Sequence, residues 1–326
     1  MICLQGFSQS FTFAERQCKL DIAASGATVF RITLSDEGRQ TAKNGTCFPV
    51  IAKTDFESLT LIRQPEGFQA KFNNLTVRVQ ESPFALFFED SAKQVLQKIH
   101  FDENEGRVFF ERGNKGLFGL GQEGMAYNRE NSYINMDAGT FPGEIELYGS
   151  RVPIPFLISP QGWGLFVHRP YYPEFDLRSS ATSFMTDKSD SLYLEFFLLF
   201  NENPEKIISE YSCLTGTPPL PPQWALGYMQ SHRTLAGSEE VMEVATNLRE
   251  KKLPCDALIY LGTGYTPSGW NMGHGSFEFN PEVFPNPKEQ IIQLKSMHFK
   301  TVFHVLRPPQ NLHGSFRKSK VLATDT

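Results

Sequence analysis

The 326-residue sequence is long enough to bury the cores of two domains, and its 40% apolar and 21% charged residues are typical of a globular protein. A net charge of -5 argues against nucleic-acid partners, because no stripe of Lys and Arg is present to neutralise phosphates. The N-terminus lacks the pattern of a signal peptide, and no apolar run approaches the roughly 20 residues that span a bilayer. These features predict a cytoplasmic protein without a membrane partner.

The cysteine and histidine patterns indicate no metal and no cofactor. Five cysteines are an odd number, are widely spread and include no C-x-x-C pair, so we expect free buried thiols in a reducing compartment. The histidines lack a paired i, i+4 pattern and a partner Cys pair, which favours polar packing roles. Gly262-Thr263-Gly264 lacks the spacing and the following helix of a nucleotide-binding loop.

Up to about residue 215 the dominant hydrophobic period is two. This alternation places one face of each strand on a core and the other toward water, as in a sandwich of antiparallel sheets. Three such runs have their apolar positions at Phe30, Ile32 and Leu34, at Leu75, Val77 and Val79, and at Phe84, Leu86 and Phe88. The run 192–200 is almost continuously apolar, which predicts a central strand covered on both sides, although its length also fits a helix.

A short helix and a linker are predicted after that run. Asn203 can cap the helix and Pro204 suits its first position. Its apolar face would consist of Ile207, Ile208 and Tyr211. The prolines of segment 217–222 then force an extended connection. We therefore place a domain boundary here, between an antiparallel β-sandwich domain at 1–217 and a second domain at 218–326.

The hydrophobic period changes after the linker. The predicted order is a strand at 224–230, a helix capped by Ser238, a strand at 256–261, a helix capped by Asn286 and a strand at 301–306. The inward positions of the two helices would be Val241, Val244, Ala245 and Leu248 in the first, and Ile291, Leu294 and Met297 in the second. An alternation of strands and helices in this order requires a parallel sheet.

Six motifs follow one another along the chain. They are GLFGLGQ at 116–122, NMDA at 135–138, PIPFLISPQGWGLF at 153–166, PPQWALG at 221–227, LPCD at 253–256 and FNPEVFPNP at 279–287. Each motif is weakly specific alone. Their ordered succession over roughly residues 75 to 315 resembles the N-terminal part of glycoside hydrolase family 31, which includes α-glucosidases and α-xylosidases.

The resemblance implies a galactose-mutarotase-like β-sandwich followed by a (β/α)₈ TIM barrel, of which this sequence holds about three strands. It also implies a retaining glycosidase that acts on α-linked carbohydrates through two carboxyl groups about 5–5.5 Å apart. In the family both groups are aspartates that follow later barrel strands. We therefore expect the catalytic residues beyond Thr326, and we expect the 326 residues alone to be inactive.

The resemblance also indicates substrate-binding residues. Asp137 lies where the family's sandwich domain sends a loop over the active site, and its carboxylate can accept sugar hydroxyls; a turn-forming aspartate is the structural alternative. After the second barrel strand, Gly262 and Gly264 replace two acidic residues of many family members, which argues against ordinary α-glucose recognition. Tyr265 and Trp270 in the same loop could stack on a sugar face or simply pack in the loop.

Two classes of function remain open at this point. The first is a part of an α-glycoside hydrolase. The second is a non-catalytic carbohydrate-binding or interaction module that combines the sandwich with a vestigial barrel. Coding sequence beyond Thr326 that carries two more aspartates at strand ends would decide for the enzyme.

Overall fold

The computed structural model describes residues 9–13, 16–26, 28–36, 55–102, 106–122, 126–136, 152–168, 173–179, 181–185, 193–232, 236–260 and 279–303. The chain divides into two compact units, Met1–Thr217 and Pro218–Thr326.

The first unit contains two large antiparallel sheets. Its strands are β1 (Gln9–Phe13), β2 (Arg16–Ser25), β3 (Val29–Asp36), β4 (Glu57–Ser58), β5 (Ile62–Gln64), β6 (Gly67–Phe72), β7 (Leu75–Glu81), β8 (Phe84–Glu89), β9 (Val95–Phe101), β10 (Arg107–Glu111), β11 (Phe118–Gly119), β12 (Tyr133–Asn135), β13 (Phe156–Ser159), β14 (Trp163–Val167), β15 (Glu174–Asp176), β16 (Ala181–Met185) and β17 (Tyr193–Phe200). One sheet has the order β1-β2-β3-β17-β14-β13-β11, with β4 paired to β2. The other has the order β12-β15-β16-β10-β9-β8-β7-β6-β5.

The alternating apolar positions of β3, β7 and β8 are all buried. Residues from both sheets meet in one hydrophobic cluster, among them Phe30, Ile32, Leu34, Leu75, Val77, Val79, Phe84, Leu86 and Phe88. Several of its aromatic rings meet edge to face, as Phe30 and Phe88 do with ring centroids 5.1 Å apart. The prediction of antiparallel strands with one buried face is therefore confirmed.

Strand β17 lies in the interior of its sheet, paired with β3 on one side and β14 on the other. Phe196 and Leu198 point into the cluster between the sheets. Phe197 and Leu199 belong to a separate cluster on the opposite face. The prediction of a central strand that is covered on both sides is confirmed, and the helical alternative is wrong.

Helix α1 (Pro204–Thr215) covers the second face of β17. The Asn203 side chain caps it by accepting a hydrogen bond from the Glu205 N–H at 2.9 Å, as predicted. Ile207 is buried, and the ring of Tyr211 stacks on Phe156 at 4.1 Å. Ile208 is 50% exposed, so its predicted inward position is wrong. Positions 207, 211 and 214 share the buried face because they follow the helical period.

The second unit begins with a turn of helix rather than with a strand. Gln223–Leu226 form a 3-10 helix, and strand β18 is Met229–His232, so the strand predicted at 224–230 is wrong over its first half. The Ala225 N–H donates to the Pro222 carbonyl at 2.9 Å, which holds the tight turn. A Cβ at Gly227 would lie 1.8 Å from Oδ2 of Asp256, which explains a glycine between this turn and β18.

The rest of the unit alternates helices and parallel strands. Its elements are α2 (Ser238–Glu250), β19 (Ala257–Tyr260), α3 (Pro287–Ser296) and β20 (Lys300–Phe303), and the sheet order is β18-β19-β20. All pairs are parallel, so the predicted parallel sheet is confirmed. Gly237, not Ser238, occupies the cap of α2, since its carbonyl accepts the first helical hydrogen bond, from the Val241 N–H at 3.3 Å.

Both helices contribute to one hydrophobic cluster with the strands. Val241 and Ala245 of α2, Leu294 of α3, and Leu258 and Tyr260 of β19 are buried there. The neighbouring positions along β19 point the other way, since side chains alternate along a strand. On that second face Met229 is exposed, and Ile259 and Val302 are half-buried. One face of this sheet is therefore more completely covered than the other in the described residues.

The cysteines follow the prediction only in part. Cys18 and Cys255 are buried, whereas Cys213 on α1 is exposed. Cys3 and Cys47 lie outside the described residues. Within the described ranges, no helix has the length and apolar character needed to cross a membrane.

We predict that limited proteolysis cuts the linker at 218–222 or beyond it and leaves a resistant N-terminal piece. Leu220 in the linker is 95% exposed, and the three-stranded sheet has one incompletely covered face, whereas β17 is buried on both faces. Mass spectrometry of the fragments identifies the cut. Hydrogen exchange that is slower after Trp224 than in β17 would contradict the prediction.

Candidate functional site

The carboxyl ends of the three parallel strands form one edge of the second unit. Strands β18, β19 and β20 end at His232, Tyr260 and Phe303, respectively. The strand register places these three positions side by side. Active sites of barrels built from alternating strands and helices lie at the carboxyl ends of the strands. This carboxyl edge is therefore the candidate site of the unit.

Tyr260 anchors the carboxyl edge from the side that faces the helices. Its ring is buried against Phe303, with ring centroids 4.9 Å apart, and against Phe284, at 5.8 Å. Its hydroxyl donates to Oε1 of Gln290 at 3.3 Å. Burial raises the pKa of the Tyr260 phenol above its ordinary value of 10.0, so the phenol is neutral and serves as a hydrogen-bond donor.

Gln290 connects this tyrosine to the start of α2. Its Nε2 donates to the Ser238 carbonyl at 2.7 Å, and the residue is buried. The Tyr260–Gln290–Ser238 link thus joins the end of β19, the first turn of α3 and the start of α2. We did not predict Gln290 as an inward residue because it is polar. Its signal is its position four residues before Leu294, which places it on the same helix face.

An open groove of about 870 Å³ lies at the start of α2, on the side of the carboxyl edge. It is lined by Ala236, Gly237, Ser238, Glu239, Glu240, Glu243, Glu282, Val283 and Pro285. Glu240 folds back on the chain, where its Oε2 accepts from the Ala236 N–H at 2.5 Å. The groove is acidic, and its carboxylates can accept hydrogen bonds from hydroxyl groups. From the sequence alone, Glu239 and Glu240 indicated only the first turn of a helix.

The predicted substrate-binding residues Asp137, Tyr265 and Trp270 lie outside the described residues, as do Gly262 and Gly264. The structure does describe the chain immediately before Asp137: Met136 is buried, and its N–H donates to the Pro173 carbonyl at 3.0 Å.

Strand β12 leads into Asp137 and pairs with β15 at the edge of the nine-stranded sheet. Ile134 and Met136 are buried, so alternation places Tyr133 and Asn135 on the outer face. The carboxylates of Glu174 and Asp176 stand opposite them on β15. The sequence analysis did not find these four residues as a group, because 38 or more positions separate the two strands.

No metal site is assigned. In the ranges that the structure describes, no group of three or more His, Cys, Asp or Glu residues could hold a metal ion.

We predict that Tyr260→Phe makes stability less sensitive to alkaline pH. Above about pH 10 the unfolded tyrosine loses its proton while the folded phenol keeps it, so the unfolded state binds fewer protons and stability falls as pH rises. The phenylalanine variant loses this contribution, and near neutral pH it is less stable by about 1 kcal/mol because the hydrogen bond to Gln290 is gone. Urea unfolding between about pH 8 and pH 11 measures both effects.

Tyr228→Phe is the matched control for this experiment. Tyr228 is exposed in the same unit and lies outside the buried cluster. Its variant should follow the pH dependence of the unmodified protein. Equal alkaline slopes for the Tyr260 variant and the unmodified protein would contradict the prediction.

Comparison with known proteins supports the motif analysis. Residues 218–315 match the model of the glycosyl hydrolases family 31 TIM-barrel domain. An alpha-xylosidase of Saccharolobus solfataricus is 25% identical over 217 residues, which cover 67% of this chain and 28% of the relative. Alpha-glucosidase 2 of Bacillus thermoamyloliquefaciens is 26% identical over 276 residues, which cover 75% of this chain and 33% of the relative. The chain therefore spans about a third or less of these relatives.

Solved structures have a similar fold. A variant of the family 31 dextranase of Flavobacterium johnsoniae, complexed with isomaltotriose, aligns with 92% of this chain and 38% of its own at a TM-score of 0.74 and 23% identity. A family 31 alpha-xylosidase from a soil metagenome, complexed with xylose, aligns with 94% of this chain and 47% of its own at a TM-score of 0.69 and 17% identity. The resemblance of this chain to glycoside hydrolase family 31 is therefore confirmed.

Proposed function

We propose that this chain is part of a retaining α-glycoside hydrolase that acts on O-glycosyl bonds of α-glucoside-like carbohydrates. The observation that carries the proposal is the alternation of parallel strands and helices within residues 218–315, the range that matches the family 31 barrel model. The names of the similar proteins, alpha-xylosidase and alpha-glucosidase, support an α-linked glycoside as the substrate class.

In the proposed architecture, residues 1–217 form a galactose-mutarotase-like β-sandwich domain and residues 218–326 supply the first three strands of a (β/α)₈ barrel. The shared cluster between the two antiparallel sheets supports the first part. The incompletely covered sheet face with Met229, Ile259 and Val302 supports the second. In a closed barrel, side chains of the remaining strands fill the space against such a face.

The proposed chemistry is double displacement at the anomeric carbon. One carboxylate attacks that carbon while a carboxylic acid protonates the leaving oxygen, and water then hydrolyses the covalent glycosyl-enzyme intermediate with the second group as base. The family resemblance assigns both groups to later barrel strands. Within this chain, Asp137 accepts hydrogen bonds from sugar hydroxyls, and Tyr265 and Trp270 provide stacking surfaces.

A second function stays open because one feature favours it. Gly262 and Gly264 stand where many family members have acidic residues, and glycine has no side chain that can bind a hydroxyl group. A non-catalytic carbohydrate-binding or interaction module needs no such acids. The coding frame after Thr326 discriminates: two further aspartates at the ends of later strands support the enzyme, and a stop codon supports the module.

We predict that the 326-residue polypeptide does not hydrolyse aryl α-glucosides or aryl α-xylosides. Loss of a general acid or base typically lowers the rate by two to four orders of magnitude, and here both groups are assigned elsewhere. Release of the aryl alcohol is measured against a control without protein. Turnover above that control would mean that the residues shown here contain the catalytic pair.

In the complete glycosidase that the proposal assumes, we predict that Asp137→Ala lowers kcat/KM about ten- to a hundredfold, since a hydrogen bond to a charged group is worth about 1.5–3 kcal/mol. The melting temperature should change little. Asp55→Ala, at an exposed position of the same unit, is the control and should leave both values unchanged. An unaltered kcat/KM would reduce Asp137 to a turn residue, and a large fall in melting temperature would show a structural role.

A further inference from the structure

Four side chains form a compact group on the outer face of the nine-stranded sheet. We name Tyr133, Glu174, Asp176 and Arg178 the Tyr133 cluster. Tyr133 of β12 lies directly opposite Asp176 of β15, and Asn135 lies opposite Glu174. Side chains directly opposite on an antiparallel pair are close neighbours. Strand register therefore joins residues that are far apart in the sequence.

The geometry of the cluster fixes the orientation of its guanidinium group. Nε and Nη2 of Arg178 donate to Oδ1 and Oδ2 of Asp176 at 3.0 and 2.7 Å, in a two-pronged pair. The hydrogen bond from Arg178 lowers the pKa of Asp176, so this carboxylate is ionised at neutral pH. The same guanidinium lies over the ring of Tyr133, with Cζ 5.0 Å from the ring centroid.

Tyr133 remains accessible within this arrangement. Its side chain is 42% exposed although its ring has a cation on one side. Its phenol is hydrogen-bonded to Glu174; partial burial first, and this bond second, raise its pKa, so the hydroxyl keeps its proton. A partly exposed aromatic ring, bordered by an ionised carboxylate and a guanidinium group, is therefore presented to solvent.

The charges around the cluster favour a neutral ligand. Glu174 and Asp176 are balanced by Arg178 and by Arg107, whose Nη1 donates to Oγ of Ser183 on the neighbouring strand at 3.3 Å. Such a balanced set of charges offers no net electrostatic attraction to a phosphate group or to a metal cation. A sugar ring can bind here without a net charge, because its C–H face packs on an aromatic ring while its hydroxyls bind carboxylate and guanidinium groups.

We propose that the Tyr133 cluster is a carbohydrate-binding subsite for one neutral sugar residue of an α-linked oligosaccharide. The choice of an α-linked ligand rests on the proposed function; the subsite itself rests on the geometry of β12 and β15. Asn135, on the same face of β12, precedes Asp137 by two positions. The subsite therefore adjoins, in the sequence, the residue that we propose as a contact to the substrate.

The test measures binding by the 326-residue chain and needs no catalysis. Maltotriose and isomaltotriose are titrated separately, and saturation-transfer NMR and calorimetry report binding. For a single-subsite contact we expect a Kd on the order of 1 mM for at least one of the two probes. Tyr133→Ala should weaken that binding about tenfold, and Tyr133→Phe, which keeps the ring, should weaken it about threefold or less.

Tyr127→Ala is the matched control, because Tyr127 is 91% exposed on a neighbouring segment outside the cluster. It should leave the Kd unchanged, and near-ultraviolet circular dichroism checks that each variant is folded. Absence of binding by both probes would overturn the subsite, as would a Kd for Tyr133→Ala equal to that of the control. Turnover by the complete glycosidase tests the proposed function separately, so the two failures are distinguishable.

Discussion

The structure of the first unit depends on the burial of β17 on both of its faces. Phe196 and Leu198 fill the space between the two sheets, while Phe197 and Leu199 require a second cover, which α1 supplies. A strand with two apolar faces has no stable position at the surface, because each buried side chain of this size contributes about 1.5–3 kcal/mol only when it is removed from water. The chain must therefore return after β17 and lay a helix over it.

This requirement also determines where the first unit ends. Asn203 caps α1 three residues after β17, and the helix ends at Thr215, three residues before the first exposed proline of the linker. The one acidic residue of β17, Glu195, pairs with Nδ1 of His168 at a distance of 2.5 Å, so its carboxylate is satisfied beside the apolar cover. The need to cover one apolar strand thus accounts for the position of the helix and of the linker that follows it.

Periodicity and turn chemistry predicted most of the fold, because both act over a few residues. The buried positions of β3 and β7, the cap at Asn203 and the parallel order of the second unit all came from such local patterns. The strand predicted at 224–230 was wrong because a local 3-10 turn, closed by the bond from the Ala225 N–H to the Pro222 carbonyl, interrupts the apolar run. The pairing of Tyr133 with Asp176, in contrast, depends on strand register, which spacing along the chain does not encode.

In the glycosidase that we propose, Gly262 and Gly264 have no side chain that can bind a sugar hydroxyl, so other residues must recognise the hydroxyls. Each sugar hydroxyl that leaves water needs a polar partner, since an unpaired one costs about 1–3 kcal/mol. In the described residues, exposed polar groups with fixed geometry occur in the Tyr133 cluster and in the groove that contains Glu240 and Glu282. In the proposed glycosidase, carbohydrate affinity therefore depends on such groups to supply the missing partners.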